Sequence, residues 1–155
     1  MAIQIHRGSL LHFPQTTLSP ENNYQYFNDG VLVVEDGLIS HIGEAQAFFA
    51  DEHHQTLLQQ GKVTIHSGLL LPGFIDSHVH FPQVEVIASY GTQLLDWLNT
   101  YTFPAEAQFA QQEYANVQAR YFIDQLFAHG TTTASVYATV HPQSVNAFFS
   151  GSRTI

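Results

Sequence analysis

The 155-residue chain is acidic and apolar, and these properties exclude several classes of protein. Four basic residues stand against thirteen acidic ones, a formal net charge of −9, which disfavours binding to nucleic acids and anionic membranes. Hydrophobic residues make up 45% of the chain, enough for a core. Without cysteine, disulfides and thiolate metal sites are impossible. We find no signal-peptide pattern and no apolar run of about 18 residues, and expect a soluble cytoplasmic protein.

Residues 1–67 predict a small module of short strands. Ile3 and Ile5 alternate with polar neighbours, as on a half-buried strand. The other elements expected here are a loop at 14–28, a turn at 28–30, a strand at 31–34, a hairpin turn at 35–37, a strand at 38–43, a helix at 45–50, a polar loop at 53–55 and a strand at 62–66.

From residue 68 onward the predicted elements alternate between strand and helix, which is typical of a parallel sheet or barrel. We expect a buried strand from Phe74, a helix at 94–102 broken by Phe103-Pro104, a helix at 106–129 stopped by Gly130, a strand at 131–139 and a helix at 142–149, a pattern that residues 151–155 do not continue. A complete (β/α)₈ barrel takes about 250 residues. We therefore expect a fragment with open strand edges and an uncovered apolar helix face.

His78 and His80 lie at the end of the strand predicted after Pro72-Gly73. Because side chains alternate along a strand, the two imidazoles should point the same way, where they could share a zinc ion. Two unrelated polar histidines are the alternative for so short a pattern. The preceding apolar run, the Pro-Gly turn and Asp76 favour the metal site. A catalytic zinc needs about three protein ligands and an open position, so this pair is half a site.

Residues 72–80, Pro-Gly-Phe-Ile-Asp-Ser-His-Val-His, resemble the first-strand metal motif of the amidohydrolase superfamily. Further segments are similar, in the same order, to segments of the guanine deaminase family: 81–83, 94–99, 101–106, 129–134 and 139–145. The resemblance runs from about residue 69 to about residue 149, and it is looser upstream. We interpret the chain as an N-terminal fragment related to this family.

The resemblance implies a fold and a chemistry. The fold is mixed α/β: residues 1–67 would be the N-terminal part of a small β-sandwich domain, and residues 68–155 the first βα units of a metal-dependent (β/α)₈ TIM barrel, which stays incomplete in this chain. The activity would be zinc-dependent hydrolytic deamination of guanine to xanthine and ammonia, in purine catabolism. A homodimer is also implied.

The resemblance also implies roles for individual residues. His78 and His80 would bind Zn²⁺, and Gln83 would contact the purine through its amide. Two further histidines, an aspartate and a glutamate that shuttles protons are expected beyond residue 155, so no catalytic residue is assigned within the chain. Without the resemblance, Gln83 would be interpreted as a surface glutamine.

Other polar residues have structural interpretations. Asp76 either orients local backbone and ligands or is a turn carboxylate. Trp97 and Phe103 are interpreted as core, and His141 only as a minor candidate for the barrel mouth. The remaining histidines are interpreted as structural: His6, His12, His41, His53, His54, His66 and His129.

Two other functions stay open. The chain could belong to another amidohydrolase acting on a ring amine or cyclic amide. It could also be a non-catalytic truncated product that only associates with other chains.

Overall fold

The computed structural model describes residues 2–14 and 23–152. Contacts between Cα atoms divide the chain into two compact units, Met1–Pro72 and Gly73–Ile155, and each is described by itself. Within the described residues, no helix is both long enough and apolar enough to cross a membrane.

The first unit is a four-stranded sheet with two short helices. Its elements are β1 (Ile3–His12), β2 (Gln25–Glu35), β3 (Leu38–Glu44), α1 (Ala45–Ala50), α2 (Gln55–Gln60) and β4 (Lys62–Leu70). The strand order is β3-β2-β1-β4. β1 pairs antiparallel with β2 and parallel with β4. The described residues of this unit form this one sheet. The expected sandwich stays a prediction, as does the domain boundary at 67/68, which β4 spans.

The core of the first unit lies between the sheet and α1. Ile3 and Ile5 alternate along β1 and are both buried, as the sequence predicts. They cluster with Val31 and Val33 of β2 and with Phe48 of α1. Full burial of an aliphatic or aromatic side chain is worth about 1.5–3 kcal/mol, so α1 is held to the sheet chiefly by this apolar contact.

The two Asp-Gly pairs in this unit adopt different local structures. The predicted hairpin turn is confirmed: Asp36 and Gly37 both have positive φ, 48° and 85°, as a type I′ turn requires. The turn predicted at 28–30 is wrong, because these residues lie inside β2. The β1–β2 register shifts between Gly8 and Leu10. Asp29-Gly30 therefore lies beside a β-bulge, and the strand continues through it.

Two predicted loops are also partly wrong. The loop at 14–28 ends at or before Gln25, where β2 begins, and residues 15–22 lie outside the described residues. The predicted polar loop at 53–55 is instead a 3₁₀ turn, Glu52–His54, that leads into α2. The His54 ring stacks on Phe48 with centroids 4.2 Å apart, so apolar contact orders this segment despite its polar sequence.

The His6–His66 pair, which joins β1 to β4, predicts a pH dependence of stability. His6 Nδ1 lies 3.0 Å from His66 Nε2. Burial, and then the neighbouring His66, lower the pKa of His6 below its ordinary value of 6.5. As the pH falls, His6 therefore binds a proton in the unfolded chain before it does so in the folded chain. Its contribution to the free energy of unfolding is present above pH 6.5 and is lost as the pH falls through the lowered pKa.

We expect the unfolding temperature to fall between about pH 7.5 and about pH 5, and to fall less in a His6→Gln variant. Thermal unfolding followed by circular dichroism at several pH values measures both. His53→Gln, a change at an exposed imidazole, is the matched control. An equal fall in the parent and in His6→Gln would contradict the assignment.

The second unit alternates strand and helix, as predicted. Its elements are β5 (Phe74–His80), α3 (Leu94–Trp97), α4 (Phe103–Ala107), α5 (Gln112–Ala128), β6 (Thr131–Tyr137) and α6 (Pro142–Ser152), with 3₁₀ turns at Phe81–Val86 and Gln108–Ala110 and a π turn at Leu98–Thr102. β5 and β6 pair in parallel. The described residues form no closed barrel: these two strands make an open sheet.

The core of this unit centres on aromatic rings and small helix residues. Its buried members are Phe81, Phe109, Ala115, Ala119, Phe122 and Ala147. The expectation of a buried first strand is wrong for this chain, since Phe74 and Ile75 on β5 are 56% and 75% exposed. Because consecutive residues of a strand point to opposite sides, both sides of β5 are exposed at its start. The expected open strand edges are present among the described residues, because β5 and β6 pair only with each other.

The helix boundaries differ from the predictions at three places. Phe103-Pro104 does not break the helix, because Pro104 lies in the first turn of α4, where a missing N–H costs little. The break comes at Gln111, which is extended (φ −90°, ψ 117°). α6 continues to Ser152, past the predicted end of the pattern. The predicted stop at Gly130 is confirmed by its φ of 81°.

Candidate metal centre

His78 and His80 lie at the C-terminal end of β5, with their rings on the same side. Their Nε2 atoms are 3.2 Å apart. Asp76 Oδ1 accepts a hydrogen bond of 3.0 Å from the backbone N–H of His78, beside an irregularity in the β5–β6 register. The carboxylate of Asp76 thus holds the local backbone that carries the first imidazole.

The separation of the two nitrogens fits a shared cation. Zinc binds imidazole nitrogen at about 2.0–2.1 Å, so two such ligands at a tetrahedral angle lie about 3.3–3.4 Å apart. The observed 3.2 Å is close to this value. Without an ion, the same separation allows a hydrogen bond between one neutral ring N–H and the other ring nitrogen.

Tyr137 restricts the orientation of both imidazoles. Its ring lies 4.5 Å from that of His78 and 4.8 Å from that of His80, and it is nearly parallel to the latter, at 14°. Tyr137 ends β6 and pairs with His80 in the parallel register. Sequence reasoning missed this residue, although a signal exists: neighbouring parallel strands bring their C-terminal residues to one edge of the sheet.

Gln83 lies on the 3₁₀ turn that directly follows His80. Its Nε2 donates a hydrogen bond of 3.1 Å to Glu106 Oε1 and lies 3.4 Å from His80 Nδ1. Phe81 and Pro82 at the start of the turn are buried, which fixes its path. The structure therefore brings together the three predicted site residues. It adds Glu106, which lies in the segment 101–106 that resembles the guanine deaminase family but had no predicted role.

A second contact ties this turn to α5. Glu85 Oε2 accepts a hydrogen bond of 2.9 Å from the Tyr114 hydroxyl, and Oε1 accepts one of 2.5 Å from Gln118 Nε2. Burial, together with the hydrogen bond and charge of Glu85, raises the pKa of Tyr114 to about 12. The hydroxyl therefore remains a donor at neutral pH, and the turn that carries Gln83 stays attached to the helix.

The two imidazoles and Gln83 border a cleft. Its other lining residues include Ile87, Ser89 and Trp97. The indole Nε1 of Trp97 donates to Ser89 Oγ (2.8 Å) and to the backbone oxygen of Ser89 (3.1 Å), which fixes this wall. Trp97 thus borders the cleft, whereas it was predicted to be core. Phe103, also predicted to be core, is 52% exposed and is not among the residues that line the cleft.

The remaining histidines of this unit have local partners. His141 Nδ1 lies 3.0 Å from Thr139 Oγ1, and its carbonyl accepts from Ser144 Oγ. His129 Nδ1 lies 2.8 Å from the carbonyl of Gln125 at the end of α5. Across residues 2–14 and 23–152, no three or more His, Cys, Asp or Glu side chains are placed together to hold a metal ion. Two imidazoles are fewer than the three or so protein ligands of a catalytic zinc site.

The arrangement described above is a strand that ends in paired imidazoles and is followed by parallel βα units. Sequence comparison identifies the class of protein to which it belongs. Residues 69–154 match the model of the amidohydrolase family, and the chain belongs to this family. It is similar to guanine deaminase of Escherichia coli K12, with 41% identity over 147 residues, which are 92% of this chain and 32% of that protein. A probable guanine deaminase of Deinococcus radiodurans is 39% identical over 95% of this chain and 34% of its own length.

Solved structures agree with this assignment. E. coli guanine deaminase superposes with a TM-score of 0.83 at 36% identity, over 100% of this chain and 34% of that one. Guanine deaminase of C. acetobutylicum, solved with guanine in its active site, gives 0.76 at 27% identity, over 96% of this chain and 33% of that one. The chain is a homologue of guanine deaminases, and it spans about one third of the length of the relatives it matches.

Proposed function

We propose that this chain is the part of a zinc-dependent guanine deaminase that contributes two metal ligands and one substrate contact. The observation that supports this proposal most directly is the pair of imidazole nitrogens, 3.2 Å apart, beside the amide of Gln83. The complete enzyme would convert guanine and water to xanthine and ammonia, as a step of purine catabolism. The similarity to guanine deaminases over most of this chain supports the choice of substrate.

Each site residue has a chemical role in this proposal. His78 and His80 would hold zinc through neutral Nε2 atoms. When bound, zinc supplies a Lewis acid that makes water a nucleophile near neutral pH. The amide of Gln83 offers both a donor and an acceptor to the polar edge of a purine. Tyr137 stacks on the ring of His80, lies tilted against the ring of His78 and holds both in position.

The carboxylate that transfers protons and the remaining ligands are proposed for the part of the relatives that this chain does not span. The 155 residues alone should therefore give little or no turnover. The exposed apolar residues of β5 support this expectation, because an open strand needs a neighbour.

The same relatives support a proposal for the architecture. Residues 1–67 would belong to a small β-sandwich domain, and residues 68–155 would be the first βα units of a (β/α)₈ barrel. A homodimer located in the cytoplasm is our proposal for the complete enzyme.

A hybrid enzyme tests this function. In it, residues 1–149 of this chain replace the matching third of E. coli guanine deaminase, so that His78, His80 and Gln83 work with a complete barrel. We expect zinc binding and conversion of guanine to xanthine, measured by product chromatography and metal analysis. The unmodified E. coli enzyme is the positive control.

Other outcomes are equally informative. A folded hybrid that deaminates another ring amine, and not guanine, would identify a different amidohydrolase. A folded hybrid that binds no zinc and turns over no ring amine would reject the enzymatic role and favour a non-catalytic product.

A further inference from the structure

We infer that Glu106 is a positioning residue that sets which end of the Gln83 amide faces the ligand. The inference rests on the proposed function, because it concerns how the same site selects its ring. Glu106 Oε1 accepts a hydrogen bond of 3.1 Å from Gln83 Nε2. The contact connects the turn after His80 to α4, elements 23 residues apart in sequence.

The chemistry of the two side chains gives this contact one polarity. An ionised carboxylate only accepts hydrogen bonds, whereas a primary amide has a donating NH₂ at one end and an accepting oxygen at the other. Oε1 of Gln83 facing Glu106 would place two acceptors together. When Nε2 of His80 binds zinc, its Nδ1 carries the ring proton and lies 3.4 Å from the same amide nitrogen. The contact with the carboxylate is shorter, 3.1 Å, and is charge-assisted. Glu106 therefore holds the NH₂ group, and Oε1 is left as the free end of the amide.

The free end is accessible from the cleft. Gln83 lines the cleft with both imidazoles. Among the described residues, Oε1 of Gln83 has no hydrogen-bond partner, and it is not among the buried unsatisfied atoms. A ligand in the cleft would thus meet an acceptor oxygen and would have to supply an N–H donor.

The backbone around Glu106 keeps the carboxylate in place. Ala105 and Phe109 on either side are 7% and 1% exposed, so the helical segment is anchored in the core. Glu106 itself is half-buried. The position of the Glu106 backbone is therefore set by apolar packing, and the contact with Gln83 directs its carboxylate.

This polarity selects a class of ring. Guanine carries a ring N–H beside its exocyclic amine, whereas adenine has an unprotonated ring nitrogen at the corresponding position beside its amine. The acceptor oxygen of Gln83 can accept a hydrogen bond from the ring N–H of guanine. In adenine it would face the lone pair of the unprotonated ring nitrogen. The structure thus assigns to Glu106 a preference for ring amines with a neighbouring lactam N–H, exerted through Gln83.

The test uses the hybrid enzyme with four forms: the parent, Glu106→Met, Gln83→Ala and the double variant. Methionine keeps the length of the side chain without an acceptor oxygen, so the KM for guanine should rise about tenfold, with kcat within about twofold. Because Glu106 acts through Gln83, the double variant should match Gln83→Ala. Zinc content should stay at the parent level.

Two further variants separate positioning from packing. Glu106→Gln keeps an acceptor oxygen and should keep KM within about threefold of the parent, whereas a role in packing alone would give equal effects for Gln and Met. Glu113→Met removes an exposed carboxylate from the same unit and is the matched control.

Failure of the inference is distinguishable from failure of the function. A parent that deaminates guanine, with KM unchanged in Glu106→Met or with additive effects of the two substitutions, overturns the inference alone. A parent that deaminates another ring amine overturns the proposed function, and the same cycle on that substrate still decides the role of Glu106. A parent that deaminates nothing overturns both.

Discussion

Replacing His80 by alanine in the hybrid enzyme should remove most of the bound zinc and lower kcat/KM by roughly a thousand-fold or more. A bound metal is worth several kcal/mol of transition-state stabilisation, and each factor of ten corresponds to about 1.4 kcal/mol. His78, held 3.2 Å away at Nε2, would lose the partner with which it shares the ion. Metal analysis of the purified variant and steady-state kinetics with guanine measure the two effects.

The control for this experiment is His53→Ala, which removes an exposed imidazole of the first unit. It should retain both zinc and turnover. Full zinc content together with normal turnover in His80→Ala would show that His80 is not a ligand, and the pair would then be two hydrogen-bonded polar histidines.

Replacing Phe81 by alanine should destabilise the second unit by about 3–5 kcal/mol, the range for removal of a buried aromatic ring. Phe81 is 1% exposed. Its ring centroid lies 5.2 Å from that of Phe109, 5.9 Å from that of Phe122 and 5.4 Å from that of Phe148. Because Phe81 directly follows His80, the cavity would also loosen the end of β5. Denaturant unfolding of the hybrid enzyme measures the loss.

Phe81→Leu is the matched control, since leucine refills most of the space. It should cost about 1 kcal/mol. Equal losses for the two substitutions would mean that the cavity is not the source of the effect, and no measurable loss in Phe81→Ala would place Phe81 outside the cooperative core.

Elements with strong local signals were predicted correctly. The helix expected at 45–50 is α1, and the strand that ends in the paired histidines is β5. The turn at Asp36-Gly37 and the stop at Gly130 need positive φ, which glycine supplies without steric cost. These signals operate within a few residues, so no knowledge of distant contacts is needed.

The errors arose where a contact with residues outside a segment overrides the signal within it. Residues 28–30 have turn chemistry, but pairing with β1 keeps them in a strand beside a bulge. The polar segment at 53–55 is helical because His54 stacks on Phe48. The prediction that β5 is buried failed for a different reason. Its apolar residues predict burial, but no described neighbour covers them.

The sequence by itself determined the membership of a metal-dependent family and the direction of the two imidazoles, because strand alternation places residues two apart on one face. Only the tertiary structure decided that Tyr137 packs against these imidazoles and that Glu106 holds the amide of Gln83. These residues come from a second strand and a separate helix. Such contacts depend on how elements far apart in sequence pack, and local periodicity carries no record of that packing.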